Sequence, residues 1–325
     1  MVQQVQITLT VRTSQLGKRL DQAVAELMPD YSRSCIKEWI VGNKVQVNGK
    51  VVNKTKTKVL GGDIVTLAIY IEDTYCWEPQ DIALNIIYED NDILVLNKPR
   101  NLVVHPGAGK PNGTVINALL HYYPEIADIP RAGIVHRLDK DTTGLMVVAK
   151  TIRAQIQLVE ALRVHDIIRE YEAVVIGTMI AGGTVNEPIT RHNTKRTYMA
   201  VRAIGKSAVT HYRIMEHFRM HTRLRLRLET GRTHQIRVHM SHINHPLVGD
   251  PLYGSRSFSL KGLSEVCLST LSGFNRQALH AIKLRLCHPI SHIQMEWHAP
   301  LPQDMLDLIT ILKADTKAFK NKIDY

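Results

Sequence analysis

Apolar residues recur along this chain with two periods, and each change of period marks an element. Residues 1–12 alternate apolar and polar positions, the period of a strand. In RLDQAVAELMP the apolar positions move to Leu20, Val24 and Leu27, a helical spacing that Pro29 ends. In YSRSCIKEWI, Ser32 offers an N-cap, Ile36 and Ile40 share one helix face, and Arg33 and Lys37 lie on another. KVQVNGKVV predicts two short strands around Asn48-Gly49, a pair suited to the positive φ angles of a two-residue hairpin turn. Lys54, Lys56 and Lys58 follow in alternation, so an extended segment would turn all three to one side. GGDIVTLAI then closes a small basic module of two helices followed by strands.

Residues 72–82, EDTYCWEPQDI, read as a linker, which predicts one domain over 1–75 and a second over 76–325. Beyond it, NIIYEDNDILVLNKP predicts two strands around a turn, and GTVINALLHYYP a helix capped near Thr114. Ile152, Ile156, Val159 and Leu162 mark a further helix, and YEAVVIG a strand. RLRLRLET alternates strictly, with Arg223, Arg225 and Arg227 on one face and Leu224, Leu226 and Leu228 on the other. GRTHQIRVHMSHI predicts a turn and a helix, and Leu301, Met305, Leu308, Ile309 and Leu312 a C-terminal helix. Strands and helices mix without a regular βαβ beat, so the fold class is α+β with a mixed, largely antiparallel sheet flanked by helices. Residues 254–275, rich in Ser and Gly, read as a surface insertion.

Composition narrows the function classes. With 44% hydrophobic and 22% charged residues over 325 positions, the chain is an ordinary globular one, not a disordered one. Apolar runs such as GLMVVA fall far short of the roughly 20 residues that span a bilayer. The N-terminus lacks a basic n-region followed by an apolar stretch, so a cytoplasmic protein is expected. The net charge is +11, and the excess is concentrated in residues 151–255, where thirteen of fifteen basic residues are Arg. Planar guanidinium groups suit phosphate contacts, so nucleic acid leads over a merely solvated basic surface.

Cys35, Cys76, Cys267 and Cys287 form no C-x-x-C pair, and no disulfide framework is expected. His234, His239, His242 and His245 cluster without a zinc-ligand spacing, so no metal is expected. HPGAGKPNGT imitates a phosphate-binding loop, but Val104 and Pro111 stand where that loop needs Gly and Ser or Thr.

Four segments carry candidate chemistry. GIVHRLDKDTTGLMVVAK is a strand, a polar turn and a strand, with His136, Arg137, Asp139, Lys140 and Asp141 in the turn. Alone it reads equally well as a bend formed by Asp139 or Asp141. ETGRTHQIRVHM crowds Arg232, His234, Arg237 and His239 behind Gly231, and alone reads as a basic helix face on phosphates. REYEAVV starts a strand with Tyr171, which alone reads as a core or edge tyrosine. NKPRNLVVHP is a strand with a Pro-bounded loop.

Together, HRLDKDTTGL, NKPRNLVVHP, the Arg-x-Tyr-x-Ala strand, GRTHQIRVH, HPLVGDPLYG and QALHAIKLRLCHP resemble the RluA family of pseudouridine synthases over residues 80–312. Thr143 stands where that family commonly has Ser. Residues 16–70 resemble the alpha-L RNA-binding module of ribosomal proteins. The resemblance implies the pseudouridine synthase fold behind a small alpha-L domain. It implies an isomerase that breaks the N1–C1′ bond of uridines in 23S rRNA, turns the base and joins C5 to C1′, without cofactor or metal. Several uridines of the intersubunit-bridge stem-loop are the implied targets, in free rRNA or in an assembling large ribosomal subunit. A monomer is expected.

By the same resemblance Asp139 is the catalytic carboxylate, Arg237 its cationic partner and Tyr171 the ring stacked on the flipped uracil. Arg137 takes the space that the extruded nucleotide vacates. Arg33, Lys37, Lys54, Lys56, Arg223, Arg225, Arg232 and His234 are candidates for RNA contact. Two other classes compete. A non-catalytic RNA-binding or ribosome-assembly factor would keep the basic patches without needing Asp139, Tyr171 and Arg237 together. A nucleoside hydrolase or glycosidase would want a second carboxylate beside the bond, for which Asp141 is the candidate.

Overall fold

A computed structural model of the chain describes residues 3–28, 33–71, 77–107, 110–195, 197–254 and 262–323. Pro29, Ser32, residues 72–76 of the expected linker and 255–261 of the expected insertion lie outside them. The chain divides into two compact units, Met1–Cys76 and Trp77–Tyr325.

In the first unit, strand β1 (Gln3–Thr10) precedes helices α1 (Leu20–Leu27) and α2 (Arg33–Val41), and β2 (Val45–Val47), β3 (Lys50–Val51) and β4 (Ile64–Ile71) follow. The sheet order is β1-β4-β2-β3, all antiparallel. Leu20, Val24, Ile36 and Ile40 are the helix positions that the spacing turned inward, and they close on Val45, Val65 and Leu67. Asn48 and Gly49 take φ of +50° and +77°, the hairpin turn expected of that dipeptide. The alternating lysines form no extended row. The chain bends there, with Thr57 N–H donating to the Lys54 carbonyl at 3.0 Å, though Lys54, Lys56 and Lys58 are all exposed.

The second unit is built on β5 (Ile86–Glu89), β6 (Ile93–Lys98), β7 (Thr143–Ala149), β8 (Ile168–Ile176), β9 (Gly183–Asn186), β10 (Ile189–Arg191), β11 (Met199–Val201), β12 (Val209–His217), β13 (His221–Leu228), β14 (Leu279–Cys287) and β15 (Gln294–His298). Nine of these strands form one sheet in the order β5-β6-β7-β14-β8-β13-β12-β9, with β15 also on β14. The pairing is antiparallel throughout except between β7 and β14, which run parallel. The late strand β14 thus inserts between β7 and β8, which precede it far back in the chain.

The helices are α3 (Val115–Tyr122), α4 (Ile152–Arg163), α5 (Gln235–His242), α6 (Glu265–Gly273) and α7 (Gln303–Ile323). Thr114 caps α3 as the sequence predicts, accepting from Asn117 N–H. The helix expected from Ile152, Ile156, Val159 and Leu162 forms, whereas the expected surface insertion fails in part. In α4 the stripe Ile152, Ile156 and Val159 faces outward, while Ala154 and Leu158 are the buried positions. The small Ala154 lets the helix approach the sheet on a face that a count of bulky residues passes over. The Ser- and Gly-rich stretch is no plain surface insertion. Ser264 caps α6, and Leu263, Cys267 and Phe274 pack against Met305 and Leu308 of α7.

Two buried histidines of this unit stay neutral. Burial pushes His221 down to about 4 despite the nearby Asp315, and burial pushes His280 down to about 4. Unfolding would release both to the ordinary value near 6.5, so the unfolded chain takes up protons that the folded one refuses. Stability should therefore fall as pH drops from about 6.5 to about 4, by up to roughly 1.4 kcal/mol per histidine per pH unit. Urea midpoints across that range measure it. His221→Asn should remove one proton from the slope, and an unchanged slope in that variant would contradict the assignment.

Candidate active site

Asp139 lies in the loop that enters β7, and two buried cations hold that loop by its main chain. Lys98, at the end of β6, is fully buried, and its Nζ donates to the carbonyls of Pro99, Leu102 and Lys140 at 2.8–3.0 Å. Burial lowers it to about 7, with Asp141 and Asp139 pulling the other way. Arg276 is equally enclosed. Its Nε and Nη2 hold Asp304 at 2.6 and 2.8 Å, and its Nη1 donates to the Asp141 carbonyl at 3.3 Å. Gly144 completes the anchor. It has φ +114°, and a Cβ there would stand 2.2 Å from the Ala281 carbonyl oxygen. Only glycine lets β7 leave the loop this close to β14.

Arg237 comes to this loop from α5, 98 residues along the chain, and donates through Nη1 to Asp139 Oδ2 at 3.0 Å. Its Nε and Nη2 form a bidentate pair with the fully buried Asp250 at 2.7 and 2.8 Å. Burial alone would lower the guanidinium, but Asp250 and then Asp139 outweigh it and raise it. The second Asp139 oxygen lies 4.0 Å from His234 Nε2. His234 Nδ1 meets the Tyr253 hydroxyl at 2.8 Å, and that hydroxyl accepts from Met199 N–H at 2.8 Å.

Tyr171 reaches the same place from β8 and is 5% exposed. Burial raises its phenol, Arg169 opposes the rise and Asp139 adds to it. Asp139, Tyr171, His234 and Arg237 line a cavity of about 320 Å³, large enough for one pyrimidine nucleoside. Asp139 is the one acid among its described lining residues, whereas Asp141 is turned to the Asn101 N–H. His136 also lines it, accepting from Val147 N–H at 3.0 Å. Burial and then Arg169 push that imidazole down to about 3. The cavity thus offers a carboxylate fixed by a cation, a phenol hydroxyl and several fixed donors, enough for nucleophilic or acid–base chemistry on one base and its sugar.

The structure gathers Asp139, Tyr171, Arg237, Arg137, Arg232 and His234 around this one cavity, with Arg137 and Arg232 exposed at its mouth. Arg33, Lys37, Lys54 and Lys56 belong to the other unit and are exposed, with Arg33 tied to the buried Asp21 at 2.9 Å. Arg223 and Arg225, expected at RNA, are each tied to glutamates. Arg223 pairs with Glu172 at 2.6 Å, and Arg225 with Glu172 at 2.7 Å and Glu170 at 3.1 Å. Both guanidiniums are thereby neutralised, and of the three alternating arginines Arg227 is the exposed one. Sequence reasoning assigned no role to Lys98, Asp250 or Arg276. The signal was present, since Lys98 and Asp250 lie inside the quoted NKPRNLVVHP and HPLVGDPLYG, and Arg276 directly precedes QALH.

A family model described as RNA pseudouridylate synthase matches residues 92–242, and the S4 domain matches residues 18–65. The ribosomal large subunit pseudouridine synthase D of Yersinia pestis is 70% identical over 325 residues, with both chains covered in full. The Escherichia coli K12 protein of the same name is 68% identical over the same span. Among solved structures, human RNA pseudouridylate synthase domain containing 4 is similar with a TM-score of 0.55 at 26% identity, over 70% of this chain and 93% of that one.

Asp250→Asn would leave Arg237 buried with half its partner. Unfolding free energy should drop by about 3–5 kcal/mol, as for other broken buried pairs. Urea denaturation of the variant measures it, and a loss within the error of the method would mean that Asp139 alone holds Arg237.

Proposed function

The chain belongs to the RNA pseudouridylate synthase family, and we propose that it isomerises uridines of 23S ribosomal RNA, with Asp139 as the catalytic carboxylate. Its relatives named for the large ribosomal subunit support that substrate, as does the S4 match in a basic N-terminal segment. The observation that carries the reading is a single carboxylate in one pocket, ion-paired to Arg237 through one oxygen. The other oxygen is left to the substrate.

The reaction breaks the N1–C1′ bond, turns the uracil and joins C5 to C1′. Asp139 acts on C1′, on C6, or on a route through a glycal formed by loss of the 2′ proton. Arg237 keeps its charge in place in all three, since Asp250 holds the guanidinium from behind. Tyr171 stacks on the extruded base and offers its hydroxyl to a proton transfer. Arg137, exposed at the mouth, fills the gap that the nucleotide leaves, which offsets part of the few kcal/mol of unstacking. A target in an RNA loop lowers that cost further.

Arg232 and His234 flank the entrance and complete the contacts near the target. Lys37, Lys54 and Lys56, with Arg33, are the proposed backbone contacts of the S4 segment. The protein acts as a cytoplasmic monomer on rRNA or on an assembling large subunit. No helix among the described residues is long and apolar enough to cross a membrane.

Incubation of unmodified 23S rRNA with wild type and Asp139→Ala, followed by carbodiimide mapping, tests the reading. Wild type should produce pseudouridine and the variant none. Free uracil in place of pseudouridine would mark a hydrolase, and an active Asp139→Ala would remove the carboxylate from the mechanism. Replacing Lys37, Lys54 and Lys56 together by Gln should flatten the salt dependence of RNA binding, by up to about 0.7–0.9 log units for every phosphate these lysines neutralise. An unchanged slope would take these lysines out of the interface.

A further inference from the structure

One buried charge in the cavity has no part in the chemistry above. Arg169 stands two residues before Tyr171 on β8, so strand alternation puts both side chains on one face. That face is apolar: Tyr171 is opposite Leu226 of β13, and Arg169 is opposite Leu228. Glu170 and Glu172 project from the other face, where Arg223 and Arg225 hold them. Asp139 is taken by Arg237. Among the described residues no carboxylate pairs with Arg169, which is 7% exposed. Its Nη2 donates to the Glu229 carbonyl at 3.0 Å, and its buried Nε meets no hydrogen-bond partner.

The guanidinium is also given room. A Cβ on Gly231 would stand 2.8 Å from Arg169 Nη1, so a larger residue there would displace it. An arginine does not shed its charge in a protein. A dry cation without a counter-ion is costly, and that cost is recovered only if an anion arrives.

We propose that Arg169 is the counter-ion of the uracil while it is detached from the ribose. This rests on the reading of the site as a pseudouridine synthase. When the N1–C1′ bond breaks, its electron pair stays on N1 and spreads to the two carbonyl oxygens of the base. Meanwhile C1′ bonds to the Asp139 carboxylate, or C2′ gives up a proton and a C1′–C2′ double bond forms, the glycal. When the base attacks C1′ through C5, the carboxylate leaves C1′ or C2′ regains its proton, the C5 proton leaves and N1 gains one. The base is anionic only between these steps. A fixed, dehydrated guanidinium stabilises that state more than the neutral uridine, so it acts on the rate and not on affinity. Arg169 also counters the rise that burial imposes on the neighbouring phenol.

The alternative anion is a phosphodiester of the RNA, and the two sources differ in readout. The full chain is compared as wild type, Arg169→Gln, Arg169→Lys and Arg169→Ala on unmodified 23S rRNA, in single-turnover assays and in binding titrations against salt. Thermal melts accompany each variant. Arg169→Gln should slow turnover by about 100-fold or more, with RNA affinity within about threefold and the salt slope unchanged. Arg169→Lys should recover at least about tenfold of that loss, and added guanidinium ion should speed Arg169→Ala but not wild type. Equal losses of affinity and rate with a flatter salt slope would make Arg169 a phosphate contact and overturn the proposal. So would a folded Arg169→Gln with near-normal turnover. If Arg169→Gln melts early, Arg169→Lys and the guanidinium response decide the matter, and absence of both effects overturns it. Failure of wild type to form pseudouridine would sink the reading of the site instead, so the two failures are distinct.

Discussion

The site depends on a guanidinium shared unequally between two carboxylates. Asp250 takes Nε and Nη2 of Arg237 and is itself fixed through Oδ1 by the N–H groups of Leu252 and Tyr253. A planar guanidinium held on one edge can present its remaining N–H only in one direction. Asp139 therefore meets a cation whose orientation is set independently of the loop that carries it. Without Asp250, Arg237 could close on both Asp139 oxygens in a bidentate pair. With Asp250 in place it binds one oxygen and leaves the other to the cavity, where His234 Nε2 is 4.0 Å away.

The loop is made equally definite from the other side. Lys98 and Arg276 come from β6 and from the start of β14, and their hydrogen bonds end on the carbonyls of Lys140 and Asp141, the two residues after Asp139. Main-chain carbonyls are the right partners for this purpose. Lys98 donates to carbonyls, which hold the loop without cancelling the charge beside Asp139, whereas Arg276 is also paired with Asp304 and serves to fix the loop. Gly144 then removes the steric obstacle to parallel pairing of β7 with β14 at Thr143–His280 and Gly144–Ala281. An exposed-looking polar turn in the sequence is thus a rigid part of the fold.

Much of this was legible in the sequence wherever a local rule suffices. The Asn48-Gly49 hairpin, the Thr114 cap, the inward leucines of RLRLRL and the turn before α5 each follow from a few adjacent residues. Distant partnerships were not legible from periodicity. Spacing cannot say that Arg237 meets Asp139, which rested on family resemblance, or that Asp250 orders the pair. Nor does an apolar count say which face of a helix is buried. The bulky stripe of α4 faces outward because Ala154 and Leu158 make the closer fit to the sheet. Ser and Gly between 262 and 275 did not prevent α6, because a Ser264 cap and buried Leu263, Cys267 and Phe274 supply what composition lacks.

Charge shows the same limit in a more useful form. The arginine-rich stretch pointed to RNA, yet Arg223, Arg225 and Arg237 are neutralised inside the protein by glutamates and aspartates. Internal pairs add nothing to a net charge, so the excess of +11 has to be carried by the cations left over. Those include Arg137 and Arg232 at the cavity mouth, Arg227, and Lys37, Lys54 and Lys56 of the first unit, all exposed. Arg169 belongs to neither group, being neither paired by a carboxylate nor exposed to solvent. The two faces of β8 explain how one short strand serves both ends. Its glutamates satisfy the arginines of β13 on one side, and on the other its arginine and tyrosine remain for a substrate.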